Sequence, residues 1–173
     1  MNTAINEIKN DYLSSNFSDF TGASHYLLPA IAIPQAFENI FNAFRPISVK
    51  EYKEKIIPLE SSSVDYLVEK YQRIKNLYNI DKPVLINDFK AVAAAIEKKQ
   101  QYEDFEPLAK LATKEYPDTL LGNYYLGRFY EETGDPKKAM KIYQSAYILK
   151  EAAGITKNHV LELSDKIKAD FGY

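Results

Sequence analysis

Two histidines, His25 and His159, are the side chains of this sequence best suited to moving a proton near neutral pH. His25 stands in the run Thr21-Gly22-Ala23-Ser24-His25, whose small and polar residues read as a turn. An imidazole there can accept a proton. It serves a nucleophile only when a hydroxyl or thiol is held against it and an acid orients it. Ser24 is a neighbour in sequence, which on a turn does not bring its Oγ to the ring. The chain has six glycines, and no pair of them brackets a serine as a Gly-x-Ser-x-Gly elbow requires. Cysteine is absent, which removes thiolate nucleophiles, disulfides and thiolate metal ligands together. His159 falls far along the chain, in the first turn of a helix beside Lys157 and Asn158, and reads as structural or solvated. No metal, no cofactor and no catalysis by this chain alone are expected.

A second group that could do chemistry, by binding rather than reaction, comprises Asn87, Lys90, Tyr124 and Arg128. Several Lys, Arg and Asn side chains on one face can clamp a peptide carboxylate. Glu97 and Glu131 fall on the same expected face and oppose a simple anion site, so the alternative is a solvated face of mixed charge. Which holds depends on the helices that carry these residues.

The 173-residue chain has 46% apolar and 27% charged residues, the balance of an ordinary soluble protein with mass for one or two domains. Its formal net charge of −2, with signs interspersed, carries no footprint for nucleic acid. No run of eighteen apolar residues occurs and no basic-then-apolar leader opens the chain, so no membrane partner is expected. Fourteen Tyr and nine Phe without Trp predict a tyrosine-rich core.

The stretch 123–149 reads as two helices folded back on each other. Leu121, Tyr125, Gly127 and Tyr130 recur at helical spacing, with Asp118 as the expected N-cap. Gly134 then ends the first helix, Asp135 caps the second and Pro136 opens it, before a stripe at Ala139, Ile142, Tyr143, Ala146 and Tyr147. Leu126-Gly127, Tyr130, Ala139, Tyr143 and Ala146 resemble the tetratricopeptide repeat. Gly127 and Ala139 are expected to let two helices cross closely. Stepping back by that family's repeat of roughly 34 residues places Ala93 under Gly127, Ile96 under Tyr130 and Ala112 under Ala146. Phe105 stands for Ala139. Helices are therefore predicted at 87–99, 105–115, 119–132 and 136–150, with a last one at about 157–170 covering the end of the stack. The resemblance implies that Asn87, Lys90, Tyr124 and Arg128 line its concave face as peptide-binding residues.

Upstream, 1–16 is predicted as an amphipathic helix with Ile5, Ile8, Tyr12 and Leu13 on one face. Phe17–Phe20 alternates like a minimal strand, and Pro34 opens an apolar helix through Ala36, Phe37, Ile40, Phe41 and Phe44. Ser48 and Glu51 form a capping box for a helix to about Ile56. Pro58 and Ser61-Ser62-Ser63 mark the domain boundary, and a helix over 64–78 follows. The order helix, short strand, Gly-turn-His, apolar helix resembles the last segment of an α/β-hydrolase of the serine-esterase kind, such as esterase D and the ferric-enterobactin esterases. The resemblance implies that His25 is the general base of an intact parent enzyme whose serine and acid lie upstream.

The fold expected is all-α: tetratricopeptide-like antiparallel helix hairpins in a short right-handed stack over 61–173. A leftover strand-loop-helix of an α/β-hydrolase precedes them within 1–60. The expected function is that of a non-catalytic C-terminal piece of a serine esterase, its repeats serving packing or protein interaction. A free-standing peptide-binding adaptor is the alternative. Expected partners are the parent hydrolase domain, a peptide or protein on the concave face, or a second copy through the orphaned N-terminal segment, whose apolar surface must find cover.

Overall fold

The computed structural model describes Asn10, Tyr12 and residues 15–173. The helix predicted over 1–16 lies outside the described residues for most of its length. All regular structure among the described residues is helical, and from Ile86 onward helices adjacent in the chain pack on one another. The chain divides into two compact units, Met1–Pro46 with Val68–Lys82, and Ile47–Leu67 with Pro83–Tyr173. The boundary expected at Pro58–Ser63 falls inside the second.

In the first unit the helix α1 spans Leu28–Phe41 and runs on as a 3-10 turn, Asn42–Phe44. It starts six residues before the predicted Pro34. Pro29 sits in the first turn, where a missing N–H has no intrahelical partner to lose. Ser24 closes the turn ahead of it: its Oγ accepts from the Leu27 N–H at 3.2 Å and its carbonyl from the Leu28 N–H at 2.9 Å. Pro34 lies inside the helix instead of opening it. Phe17–Phe20 is not a strand. A lone alternating segment gains its hydrogen bonds only from a neighbouring strand, and none is present among the described residues. The end of α1 is anchored by aromatic and cationic contacts. Tyr78 donates its hydroxyl to the Ile40 carbonyl, and its ring centroid lies 4.8 Å from that of Phe44. Lys82 Nζ donates to the Phe44 carbonyl at 2.6 Å and stands over the Phe44 and Tyr71 rings.

The second unit is a stack of helix hairpins. The helix α2 spans Ser63–Tyr78 and gives this unit only its first turn. The triple serine before it is tied down. Asp104 accepts from Ser62 Oγ at 2.9 Å and the Ser63 N–H at 3.2 Å, and Lys99 Nζ reaches Ser63 Oγ at 3.2 Å. Asp104 thus caps a helix start from another element. Ahead of it, Ser48 Oγ accepts from the Glu51 N–H at 3.1 Å, as its spacing predicted, and the turn widens into a π segment over Tyr52–Ile56, closed by the Ile57 N–H on the Tyr52 carbonyl.

The hairpins are α3 (Ile86–Lys99) with α4 (Phe105–Glu115), and α5 (Leu121–Glu132) with α6 (Pro136–Ala146), followed by α7 (Lys157–Phe171). Two predicted ends moved for one reason. The Leu120 N–H donates to the Lys150 carbonyl at 2.9 Å, and the Lys150 N–H to the Asp118 carbonyl at 3.0 Å. That short bridge takes the backbone groups that α6 would need to continue to residue 150. It also holds Asp118 outside the helix it was expected to cap. Asp135 does cap α6, accepting from the Lys138 N–H at 3.1 Å, with Gly134 turning at φ +90° and Pro136 in the first turn. Thr156 caps α7 through the His159 N–H.

The core follows the apolar stripes. Leu120, Ala139, Tyr143, Ala146, Val160 and Ile167 form one buried cluster where α5, α6 and α7 meet. Phe89, Tyr125 and Phe105 stack in sequence between the two hairpins, with centroids 6.4 and 6.1 Å apart. α7 covers Ala139, Tyr143 and Ala146 with Val160 and Ile167.

Candidate functional site

His25 sits exposed in the turn before α1, with its ring edge-on to Tyr26 at 5.8 Å. Ser24, its sequence neighbour, uses its hydroxyl to hold the turn. Among the described residues no carboxylate or hydroxyl is hydrogen-bonded to the imidazole. The chemistry left to His25 is that of an unassisted, solvated base.

The expected binding residues fare differently from one another. Tyr124 and Arg128 lie one turn apart on α5, and contacts tie them to the helices on either side. Arg128 Nη2 reaches Glu97 on α3 at 3.2 Å and Glu132 at 2.7 Å. Its guanidinium stands 5.7 Å over the ring of Phe105. Tyr124 packs 6.0 Å from the ring of His159 on α7. Glu97, Arg128, Tyr124 and His159 therefore make one row across the first helix of each successive unit of the stack. Asn87 and Lys90 are exposed on α3 at the spacing that shares the Glu97 face. Lys90 precedes Glu97 by seven residues, roughly 10 Å along the axis, too far to join the Arg128 network.

Behind the row, Tyr143 donates its hydroxyl to Glu131 at 2.8 Å. Sequence reasoning placed Glu131 on the binding face and Tyr143 in the core without joining them. It read His159 as structural or solvated without joining it to Tyr124, because the α5–α7 contact depends on the turn at 147–156. The one local signal was the four-residue spacing of Arg128 and Glu132.

Burial raises the pKa of Tyr124, Tyr125 and Tyr143, with the Glu131 carboxylate adding to the effect at Tyr143. A tyrosine whose folded-state pKa exceeds its unfolded value stabilises the fold fully below pH 10 and loses that contribution as pH rises. Tyr125 and Tyr143 are almost wholly buried, so each takes away about 1.4 kcal/mol per pH unit above about 10. Between pH 10 and 12 the second unit is expected to unfold. The absorbance of part of its tyrosines near 295 nm should rise only together with loss of helical circular dichroism. Complete tyrosine ionisation while the helix signal persists would contradict this.

Among the described residues, no group of His, Asp and Glu able to hold a metal ion occurs and no helix is long and apolar enough to cross a membrane. No protein-family model matches the chain, and no curated protein matches it. One solved structure does. The crystal structure of an uncharacterised protein from Capnocytophaga ochracea is similar to it at 33% identity with a TM-score of 0.83, covering 90% of this chain. The chain spans only 44% of that protein's length. The likeness supports the all-α hairpin fold and names no activity.

Proposed function

We propose that this chain is the helical C-terminal part of an α/β-hydrolase of the serine-esterase kind, without catalysis of its own, whose hairpin stack serves packing or protein interaction. The observation that supports this best is α1. It follows a turn bearing the one histidine of that region, and it leaves Ile33, Phe37 and Phe41 more than half exposed, with Ile40 close behind. Neighbouring apolar side chains at such exposure mark a surface evolved to be covered. A hydrolase sheet is the cover this reading assigns, with His25 as general base once a serine and an acid are supplied from elsewhere. A second copy of the chain is the competing cover.

The experiment is an ester-hydrolysis assay on a chromogenic acyl ester. The 173-residue chain is expected to give no turnover above buffer. The longest reading frame of the source gene that contains it is expected to turn over, with His25→Ala lowering kcat by roughly a thousandfold or more. Turnover by the short chain that His25→Ala removes would overturn the proposal, and so would a long protein indifferent to that change.

A second reading, the peptide-binding adaptor, is favoured by the row of Glu97, Arg128, Tyr124 and His159. Side chains from three successive inner helices share one face there, the arrangement that helical stacks use to hold an extended segment.

A further inference from the structure

We propose that the face shared by α3, α5 and α7 selects a cationic segment, one carrying Lys or Arg side chains, and not a carboxylate. The inference rests on the adaptor reading and gives it a ligand class. Arg128 is the cation on which a carboxylate clamp would depend, and the protein has already spent it. Its Nη2 is paired with both Glu97 and Glu132 and its guanidinium is laid on the Phe105 ring, with only 21% of the side chain exposed; its Nε has no hydrogen-bond partner but is buried away from an incoming group. An incoming carboxylate must displace Glu97 or Glu132, leaving one of them beside the new anion without a counter-charge. A cation meets the opposite balance. Glu97, Glu131 and Glu132 set three carboxylates against one guanidinium, and Glu97 remains about half exposed (48%). Lys90, the nearest cation along the face on α3, stands roughly one Debye length away at ordinary ionic strength. Tyr124 adds an aromatic ring beside these carboxylates, the surface on which an ammonium or guanidinium stacks favourably. The charge complementarity is therefore with a basic extended segment of a partner protein.

The probes are two capped, fluorescein-labelled dodecapeptides, one alternating lysine with glycine and the other alternating glutamate with glycine, read by anisotropy at low salt. The lysine peptide is expected to bind, weakening roughly tenfold when salt is raised to half molar. Glu97→Gln keeps an acceptor for Arg128 and is expected to weaken it roughly threefold, as is Tyr124→Ala. Glu69→Gln, which belongs to α2 in the other unit, should leave it unchanged. Lysine-peptide binding indifferent to Glu97→Gln and Tyr124→Ala overturns the inference, since the cation is then held elsewhere. Binding of the glutamate peptide that Arg128→Gln abolishes also overturns it, while leaving the adaptor reading standing. If circular dichroism shows the chain folded and neither peptide binds, both fall.

Discussion

Gly127→Ala is expected to destabilise the second unit by about 2–3 kcal/mol, lowering its melting temperature by roughly 5–10 °C. In most helix interiors this change would add stability, because alanine exceeds glycine in helix propensity by about 1 kcal/mol. Here the new methyl meets a ring. A Cβ on Gly127 would lie 2.2 Å from Tyr143 Cε1 and 2.6 Å from Cδ1 and Cζ. Tyr143 cannot swing away: it is fully buried among Ala139, Ala146 and Val160, and its hydroxyl is fixed on Glu131. The overlap must be relieved by parting α5 from α6, at the cost of the core between them. Tyr143→Leu removes the ring, so the double variant should cost clearly less than the sum of the two single ones. Denaturant midpoints of the four proteins measure this coupling. A Gly127→Ala protein as stable as the original would show that the ring is not seated there.

Gly127 also shows what the sequence made legible and where it stopped. A glycine in a helix, four residues before another turn of apolar residues, reads as a close crossing, and one is found. What approaches is an aromatic side chain from α6 and not a bare backbone, because spacing reports which residues share a face and not which rotamer fills the gap. Gly122 carried the same kind of signal, lying against Thr113 on α4, and was not read, since it falls outside the resemblance to a repeat. Local signals worked where the partner is within four residues, as with Asp135, Pro136 and the Ser48–Glu51 cap. They failed where a distant segment competes for the same backbone groups: Asp118 and Lys150 are drawn into a bridge, and Ser61-Ser62-Ser63 is held by Asp104 when it read as a loose boundary. On the face expected to bind a peptide, the sequence set Tyr124 and Arg128 one helical turn apart, as they stand on α5. It could not show that Arg128 is already paired across to Glu97, which is a contact between helices 31 residues apart in the chain.

Phe105→Ala should have the largest effect of any single change to the stack, about 3–5 kcal/mol. By repeat spacing Phe105 stands where the next unit has Ala139, and both positions are buried. The difference in size has a physical role. Tyr125 lies 18° from parallel with the Phe105 ring at 6.1 Å, and Phe89 continues the stack on its other side. Arg128 lies over Phe105 as well. The ring therefore fills the space between the two hairpins and floors Arg128 on the shared face at once. Its removal leaves a cavity walled by Tyr125, and Tyr125 cannot collapse into it without leaving Phe89. Phe105→Leu restores much of the volume without the aromatic face, and should recover more than half of the loss in a denaturant titration. The cation–π contact, worth about 0.5–1 kcal/mol at such a site, accounts for part of what leucine does not restore. If Arg128→Gln made in the Phe105→Leu background costs as much as in the original protein, the ring contributes volume alone to that face. A smaller cost in the leucine background is expected, because the guanidinium then rests on Glu97 and Glu132 without its aromatic floor.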